Sequence, residues 1–303
     1  KSFLNQDNNN LDDIIIDFNK IFLNSGIFFN IKSDTKLNIR LIHDTSDNFT
    51  IFQSNFINFK KKCEVQLEDY FNLTNNTINN INYNINVEEG AAIKHNIFQN
   101  FTNSNKLYLT SNTVCEKNSS YSQNTYNFSD GFVRNFHNVN LNGEFSNASL
   151  KGCFFLKDKN ICSNKTNIIH NAENCVSDQT YKGILNDHSK ASYYSNTFVS
   201  ENAQKTEGYQ LSKGILLTDN CSFFSKPELR IFADDVKCSH GSTIGPVDES
   251  ALYYLRSRGI SKNEAMKMII SSFIEEDLQN LDKNIAEIIS NNLSNYLSSL
   301  VND

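Results

Sequence analysis

Residues 211–259 read LSKGILLTDNCSFFSKPELRIFADDVKCSHGSTIGPVDESALYYLRSRG, a stretch unlike everything before it. Asparagine, abundant upstream, nearly vanishes, and both prolines of the chain, Pro227 and Pro246, fall here. Two apolar runs, Ile215–Leu217 and Leu229–Phe232, each lead into a polar turn. Lys237-Cys238-Ser239-His240-Gly241 follows, and beyond Pro246 the apolar spacing becomes helical. The stretch therefore reads as the end of a β-rich body passing into a helical tail.

Working upstream, the same strand unit recurs. Ile81, Tyr83, Ile85 and Val87 alternate with Asn82, Asn84 and Asn86, a period of two that sets the apolar side chains on one face of a strand. Short apolar stretches lie within Leu37–Ile42, Thr50–Phe52, Lys106–Thr110, Gly131–Val139, Glu144–Phe155, Tyr181–Leu185, Ser192–Val199 and Gly214–Leu217. Turns rich in Asn, Ser, Asp and Gly separate them, with no helix between. Many short strands without crossover helices mean a sandwich, a barrel or a β-solenoid. Polar Asn and Ser positions between β-branched and aromatic ones suit stacked coils. Residues 11–24 place Ile14, Ile15, Phe18, Ile21 and Phe22 at a spacing that fits one amphipathic helix or two short elements.

Downstream, Asp248 is expected to cap a helix running to Arg258, with Gly259 at the C′ position. Ser261-Lys262-Asn263-Glu264 has the form of a capping box. The helix it opens carries Ala265, Met268, Ile269 and Phe273 on one face. A third helix from about Asp282 places Ile285, Ile288, Ile289, Leu293, Tyr296, Leu297 and Leu300 at helical spacing.

Composition narrows the function. A net charge of -6 with scattered Lys and Arg argues against nucleic acid. The one basic run, Lys60-Lys61-Lys62, reads as a solvated loop. Seven cysteines without a CxxC pair indicate neither a zinc knuckle nor a thioredoxin site and suit free thiols in a reducing compartment. No apolar run approaches the ~18–20 residues of a membrane helix, so no membrane partner is expected. Asparagine supplies 48 of the 303 residues, a bias attributable to an AT-rich genome. It produces Asn-x-Ser/Thr triplets such as Asn48-Phe49-Thr50 by composition alone. The first residue is Lys1, so a fragment or processed form is expected.

Cys238 and His240 are two apart, so on a strand the thiol and imidazole share a face. Both are good iron ligands, but clusters normally take four. Further ligands would come from a second chain, or binding would be transient. A structural cysteine beside a surface histidine is the plain alternative. No GxSxG, HExxH or GxxxxGK[ST] occurs, so an ATP-driven step must use another subunit. Asp234-Asp235 would suit a polysaccharide-cleaving pair, but adjacent strand residues point to opposite faces.

KPELRIFADDVKCSHGSTIG followed by DESALYYLRSRGIS resembles the C-terminal half of SufD, a subunit of the Suf iron–sulfur cluster assembly complex. Gln204-Lys205-Thr206, Tyr181-Lys182-Gly183-Ile184-Leu185, Val87-Glu88-Glu89-Gly90-Ala91 and Lys94-His95 extend the likeness over roughly residues 80–275. SufB-like chains carry Cys-Asp-Ser near the segment corresponding to Leu211-Ser212-Lys213 and lack KCSHG; this chain has no thiol there.

The resemblance implies a mainly β fold: a right-handed parallel β-helix with a C-terminal helical domain and a partial N-terminal region. The expected divisions are an N-terminal mixed region (1–75), a β-helix core (76–246) and a helical domain (247–303). It implies a non-catalytic scaffold that pairs with a SufB-like subunit through roughly Ile215–Ile244. A SufC-like ATPase would be gripped from about residue 248 onward. His240 matches the position that SufD-like proteins contribute at the SufB interface, and Cys238 matches a nearby thiol. Both become candidate transient iron or cluster ligands, with no stably bound cofactor and a transient iron–sulfur cluster shared with SufB.

The other cysteines (Cys63, Cys115, Cys153, Cys162, Cys175, Cys221) read as unpaired thiols. His43, His95, His137, His170 and His188 show no ligand spacing, and His170 reads as structural. The rival reading is a β-helix polysaccharide-acting or sugar-binding protein; a third is an adaptor in which His240 has no metal role. Suf systems in bacteria and plastids, together with the Asn bias, point to a plastid such as the apicoplast, or the cytoplasm if the source is bacterial.

Overall fold

The computed structural model describes residues 14–45, 50–74, 76–102, 105–278 and 281–299. Leu11 and Leu300, read above as parts of helices, lie outside the described residues. One helix, α1 (Ile14–Phe22), precedes the strands. The first eight strands are β1 (Phe28–Ile31), β2 (Lys36–Thr45), β3 (Thr50–Phe59), β4 (Glu64–Leu73), β5 (Ile78–Val87), β6 (Ala92–Gln99), β7 (Asn105–Cys115) and β8 (Ser120–Asn127). The next eight are β9 (Gly131–Leu141), β10 (Asn147–Leu156), β11 (Ile161–His170), β12 (Val176–Leu185), β13 (Lys190–Val199), β14 (Thr206–Leu216), β15 (Ser222–Ile231) and β16 (Val236–Pro246). Then follow α2 (Glu249–Ser257), α3 (Lys262–Leu278) and α4 (Lys283–Ser299).

Consecutive strands do not form sheet ladders with each other. The odd-numbered strands make one eight-stranded sheet and the even-numbered strands another. The pairings are parallel, as in β10 with β12 and β13 with β15. The chain thus alternates between two sheets and winds a parallel β-solenoid of about eight turns. A sandwich or barrel of hairpins would give antiparallel neighbours instead.

The coil length is visible in the register. Lys36, Glu64, Ala92 and Ser120 stack at intervals of 28 residues. From Val176 to Glu207 the step is 31, and from Lys190 to Ser222 it is 32. The strand spacing read from sequence captured half-coils and missed this longer period.

One corner repeats a positive-φ residue just before each of β2, β4, β6, β8, β10, β12 and β14: Asp34, Lys62, Gly90, Asn118, Phe145, Asn174 and Lys205. Only Gly90 is free of the steric cost of that conformation. Stacked turns offset part of the cost through charge: Lys60 meets Glu88 at 2.6 Å, Lys61 meets Glu89 at 2.9 Å, and Lys117 meets Glu144 at 2.9 Å. The lysine run sits in this turn, and Lys60 and Lys61 pair with the coil above.

Inward positions form the core, with Phe59, Leu67, Phe71, Ile97, Val139 and Leu156 all buried. Each such side chain contributes roughly 1.5–3 kcal/mol on burial. The alternation of Ile81, Tyr83, Ile85 and Val87 is observed, all four buried in β5. The asparagine excess is put to structural use. Asn167 Nδ2 donates to Asn138 at 2.6 Å and Asn196 Nδ2 to Asn167 at 2.5 Å. Asn58 and Asn86 continue a second such ladder from Asn30 at 3.1 and 3.0 Å.

Residues 1–75 include α1 and β1–β4, and β2 and β4 run on without a break into the even-sheet ladder. The α1 segment is a single helix, but its expected apolar face is not the buried one. Ile16 and Asn19 are buried, whereas Ile14, Phe18, Ile21 and Phe22 are exposed. The cause is Asn19, whose amide donates to the Asn80 carbonyl at 2.7 Å and fixes the rotation of the helix.

The last two helices cover the outer face of the even sheet. Ile270, Ile274, Ile285, Ile289, Leu293, Tyr296 and Leu297 bury Phe98, Tyr126, Phe155 and Ile184. The stripe read on α4 is the packing face. On α3 the face is rotated from expectation: Ala265, Ile270 and Ile274 are buried and Met268 is exposed. Apolar residues surround this helix (Met266, Met268, Ile269, Ile270), so its own sequence does not select a face and the sheet beneath does.

Candidate functional site

Cys238, His240 and Ser242 are the final rungs of three inward ladders. Tyr121, Ala148, Ser177 and Gly208 lead to Cys238. Gln123, Leu150, Gln179 and Gln210 lead to His240. Gly152, Tyr181 and Ser212 lead to Ser242. The two residues picked from the sequence therefore do share one face, and that face looks into the lumen where the solenoid ends.

Their environments differ. Cys238 is half-buried and packs with Val236 onto Val199, Ala203 and Ala233. Burial raises its thiol above the ordinary range, against a smaller lowering by the Gly208 backbone. The thiol thus stays protonated at neutral pH until something draws the proton off. Gly208 makes room for it: a Cβ there would lie 3.3 Å from Cys238 Sγ. His240 is exposed. Beneath it Gln210 is held by three bonds, donating to Thr197 Oγ1 at 2.8 Å and the Glu228 carbonyl at 3.1 Å, and accepting from Ser195 Oγ at 3.2 Å. The histidine is thus exposed over a floor fixed by hydrogen bonds.

The two strands at this end each have one neighbour: β15 pairs with β13 and β16 with β14. Their outer edges present unpaired backbone groups, the usual template for adding a strand from another chain. Phe224 and Phe232 lie exposed along this end, as do Tyr253 and Tyr254 on the adjoining α2. Among the described residues no three His, Cys, Asp or Glu side chains converge to hold a metal ion. Cys238 and His240 alone fall short of a cluster's usual four ligands.

Asp234-Asp235 lie in the bend between β15 and β16, not on a strand as assumed, and both are exposed. The other six cysteines are free thiols, five buried and Cys153 half-buried. Burial pushes Cys115 up to about 12 and Cys162 to about 11, which leaves both inert. His170 is buried against Ser177 Oγ at 2.8 Å, in keeping with a structural role. Asp248 caps α2 through Ser250 N and Ala251 N, and Gly259 has φ +86°. Ser261 Oγ accepts from Glu264 N at 3.3 Å.

Sequence reasoning missed a buried polar cluster inside the early coils. His95 Nε2 lies 2.8 Å from Asp69 Oδ2 and its Nδ1 lies 3.1 Å from the Tyr121 hydroxyl. His43 Nε2 stands 3.5 Å from Asp69 Oδ1. Burial alone would raise the Asp69 carboxyl, but the two imidazoles outweigh it and hold it far below the usual range. The 28-residue period was the signal that would have brought these residues together.

Eight parallel turns, a helical layer on one sheet, and a terminal coil whose last strand carries a thiol and an imidazole define a β-solenoid with an unpaired edge at that end. Residues 41–273 match the family described as SUF system FeS cluster assembly, SufBD core domain, and the chain belongs to that family. It is 36% identical over 144 residues to the iron-sulfur cluster assembly protein SufD of Escherichia coli, covering 48% of this chain and 34% of that one. It is 28% identical over 211 residues to SufD of Plasmodium falciparum, covering 66% and 14% of the two chains. It is 40% identical over 90 residues to the chloroplastic protein ABCI7 of Arabidopsis thaliana, covering 30% and 19%. The chain thus spans under half the length of these relatives.

Proposed function

We propose that the chain is a SufD-type, non-catalytic scaffold subunit for iron–sulfur cluster assembly. In this reading it pairs with a SufB-like subunit along β15 and β16, over roughly Ile215–Ile244. It binds a SufC-like ATPase through residues from about 248 onward, where Tyr253 and Tyr254 stand exposed. Cys238 and His240 act as transient iron or cluster ligands, completed by groups of the SufB-like chain, and no cofactor is resident. ATP-driven movement of the SufC-like subunits opens the interface to incoming iron and sulfur. The plastid is the proposed location, supported by the chloroplast and Plasmodium relatives.

The observation that carries this reading is the placement of Cys238 and His240 on the last, singly paired strand of the solenoid. The test is anaerobic co-purification with matching SufB-like and SufC-like chains, followed by iron and sulfide analysis of the native protein and His240→Ala. A stable complex that loses cluster loading but not assembly supports the site. Unchanged loading removes His240 from it, and the lack of any complex overturns the scaffold reading.

A further inference from the structure

The outer faces of the two sheets differ in charge. On the even-numbered strands opposite charges meet across neighbouring coils: Lys36 with Glu64 at 2.7 Å, Arg40 with Glu68 at 3.0 Å and Lys237 with Glu207 at 3.1 Å. On the odd-numbered strands beyond α1 the balance is lost. The outward positions of β7, β9, β11, β13 and β15 carry Lys106, Arg134, Lys165, Lys190, Lys226 and Arg230 against one carboxylate, Glu228. Glu228 is already engaged. It accepts from Arg230 Nε at 2.6 Å and from the Tyr194 hydroxyl, with Lys226 Nζ 4.0 Å away. Neighbouring acids such as Asp130, Asp158 and Asp187 sit in the turns at the sheet's edge. A chain of net charge -6 thus gathers one cationic face.

Lys106, Lys165 and Lys190 are exposed and have no carboxylate partner among the described residues. Lys165 is nevertheless held in place. The register stacks Phe136, Lys165, Tyr194 and Lys226 in one ladder. Lys165 Nζ lies 4.6 Å from the Phe136 ring centroid and 5.5 Å from that of Tyr194. Lys226 Nζ lies 5.4 Å from the Tyr194 centroid. Rings and cations alternate, so the Lys165 ammonium has lost much of its freedom before any partner arrives.

Five adjacent strands, ~4.8 Å apart and about ten residues long, offer roughly 800 Å², the area one partner contributes to a standard interface. Its charge calls for an anionic partner, and the rings decide which kind. Single-stranded nucleic acid stacks its bases on open aromatic faces. Here lysines cover Phe136 and Tyr194, Tyr108 leans on Phe132 at 5.3 Å, and Phe198 leans on Phe232 at 5.3 Å. Phe224, on the terminal strand, is left open, but one ring does not make a stacking platform. What the face turns to solvent is ammonium groups, which suit carboxylates.

We propose that the outer face of the odd-numbered sheet, centred on Lys106, Lys165 and Lys190, docks an acidic segment of a partner protein. The inference does not depend on the scaffold reading, because β7, β11 and β13 belong neither to the β16 edge nor to the helical layer assigned there.

The test is fluorescence anisotropy of a labelled deca-glutamate peptide titrated with the chain at about 50 mM and about 300 mM sodium chloride. A neutral glycine–serine peptide of the same length and deca-thymidylate are the comparison probes. Deca-glutamate should bind, at least tenfold more weakly at the higher salt, and the neutral peptide should not. A Lys106→Gln, Lys165→Gln, Lys190→Gln variant should bind at least tenfold more weakly. A charge-matched Lys32→Gln, Lys262→Gln, Lys283→Gln variant, altered at exposed lysines elsewhere, should change by less than twofold. Should loss of Lys165 upset the ladder, the Lys106→Gln, Lys190→Gln pair, which touches no ring, decides the matter by a loss of threefold or more. No binding by the native chain, or equal loss in the two triple variants, overturns the proposal. Tighter binding of deca-thymidylate than of deca-glutamate overturns the acidic protein as partner and assigns the face to nucleic acid.

Discussion

Lys182 Nζ, on the outer face of β12, donates to the main-chain carbonyl of Phe273 in α3 at 3.1 Å, and the lysine is 2% exposed. The same ammonium lies 5.3 Å from the Phe273 ring centroid. A buried lysine thereby fastens the helical layer to the solenoid.

Replacing Lys182 with Ala should destabilise that attachment by about 2–3 kcal/mol, the range for breaking a buried charged hydrogen bond. Limited proteolysis would then cut within 262–299 while the solenoid fragment survives. Unaltered protection of α3 and α4 would show that the apolar face alone holds them.

Acid should weaken the fold in a defined window. Burial lowers His137 to about 3 and His170 to about 4, from an ordinary value of 6.5. Both folded values lie below the unfolded one, so the unfolded chain binds more protons as pH falls. Their contribution is complete above pH 6.5 and is lost progressively as pH drops towards 4 and then 3. Urea midpoints across pH 7 to 4 should fall, and a His137→Asn, His170→Asn variant should show a shallower slope. An identical slope would assign the acid limb to other groups.

Gly152→Ala should cost about 1–3 kcal/mol, because its Cβ would fall within the ring of Tyr181. The near-ultraviolet tyrosine signal should change with it. A variant as stable as the native chain would mean that the Tyr181–Tyr193 stack can re-pack.

Asn167 donates to one asparagine and accepts from another in the 138–167–196 ladder. Asn167→Ala removes both bonds and should lower stability by about 1–2 kcal/mol.

His240→Ala should leave stability within about 0.5 kcal/mol of the native chain, since the side chain is exposed and no buried partner depends on it. A thermal melt that drops by several degrees would make any loss of cluster loading uninterpretable as a ligand effect.

The β class, the strand alternation in β5, the caps of α2 and the shared face of Cys238 and His240 could all be read from local patterns of two to four residues. What escaped was everything set by the coil length. Asp69 and His95 are 26 residues apart and meet only because strands stack at intervals of 28, which sets His95 beside Leu67, two residues from Asp69. The faces of α1 and α3 also escaped, because an asparagine bond in one case and the sheet surface in the other override helical periodicity.

A solenoid of this kind is held together by nearest neighbours, so its coils do not all open with equal ease. Strands between two others, such as β8, must break two ladders to come free, whereas β16 must break one. Backbone amides of Cys238 and His240 should therefore exchange with solvent sooner than those of the central coils, in a gradient along the axis. A second chain that adds a strand beside β16 would remove that gradient, tying the rigidity of the thiol–imidazole pair to the moments when the partner is in place.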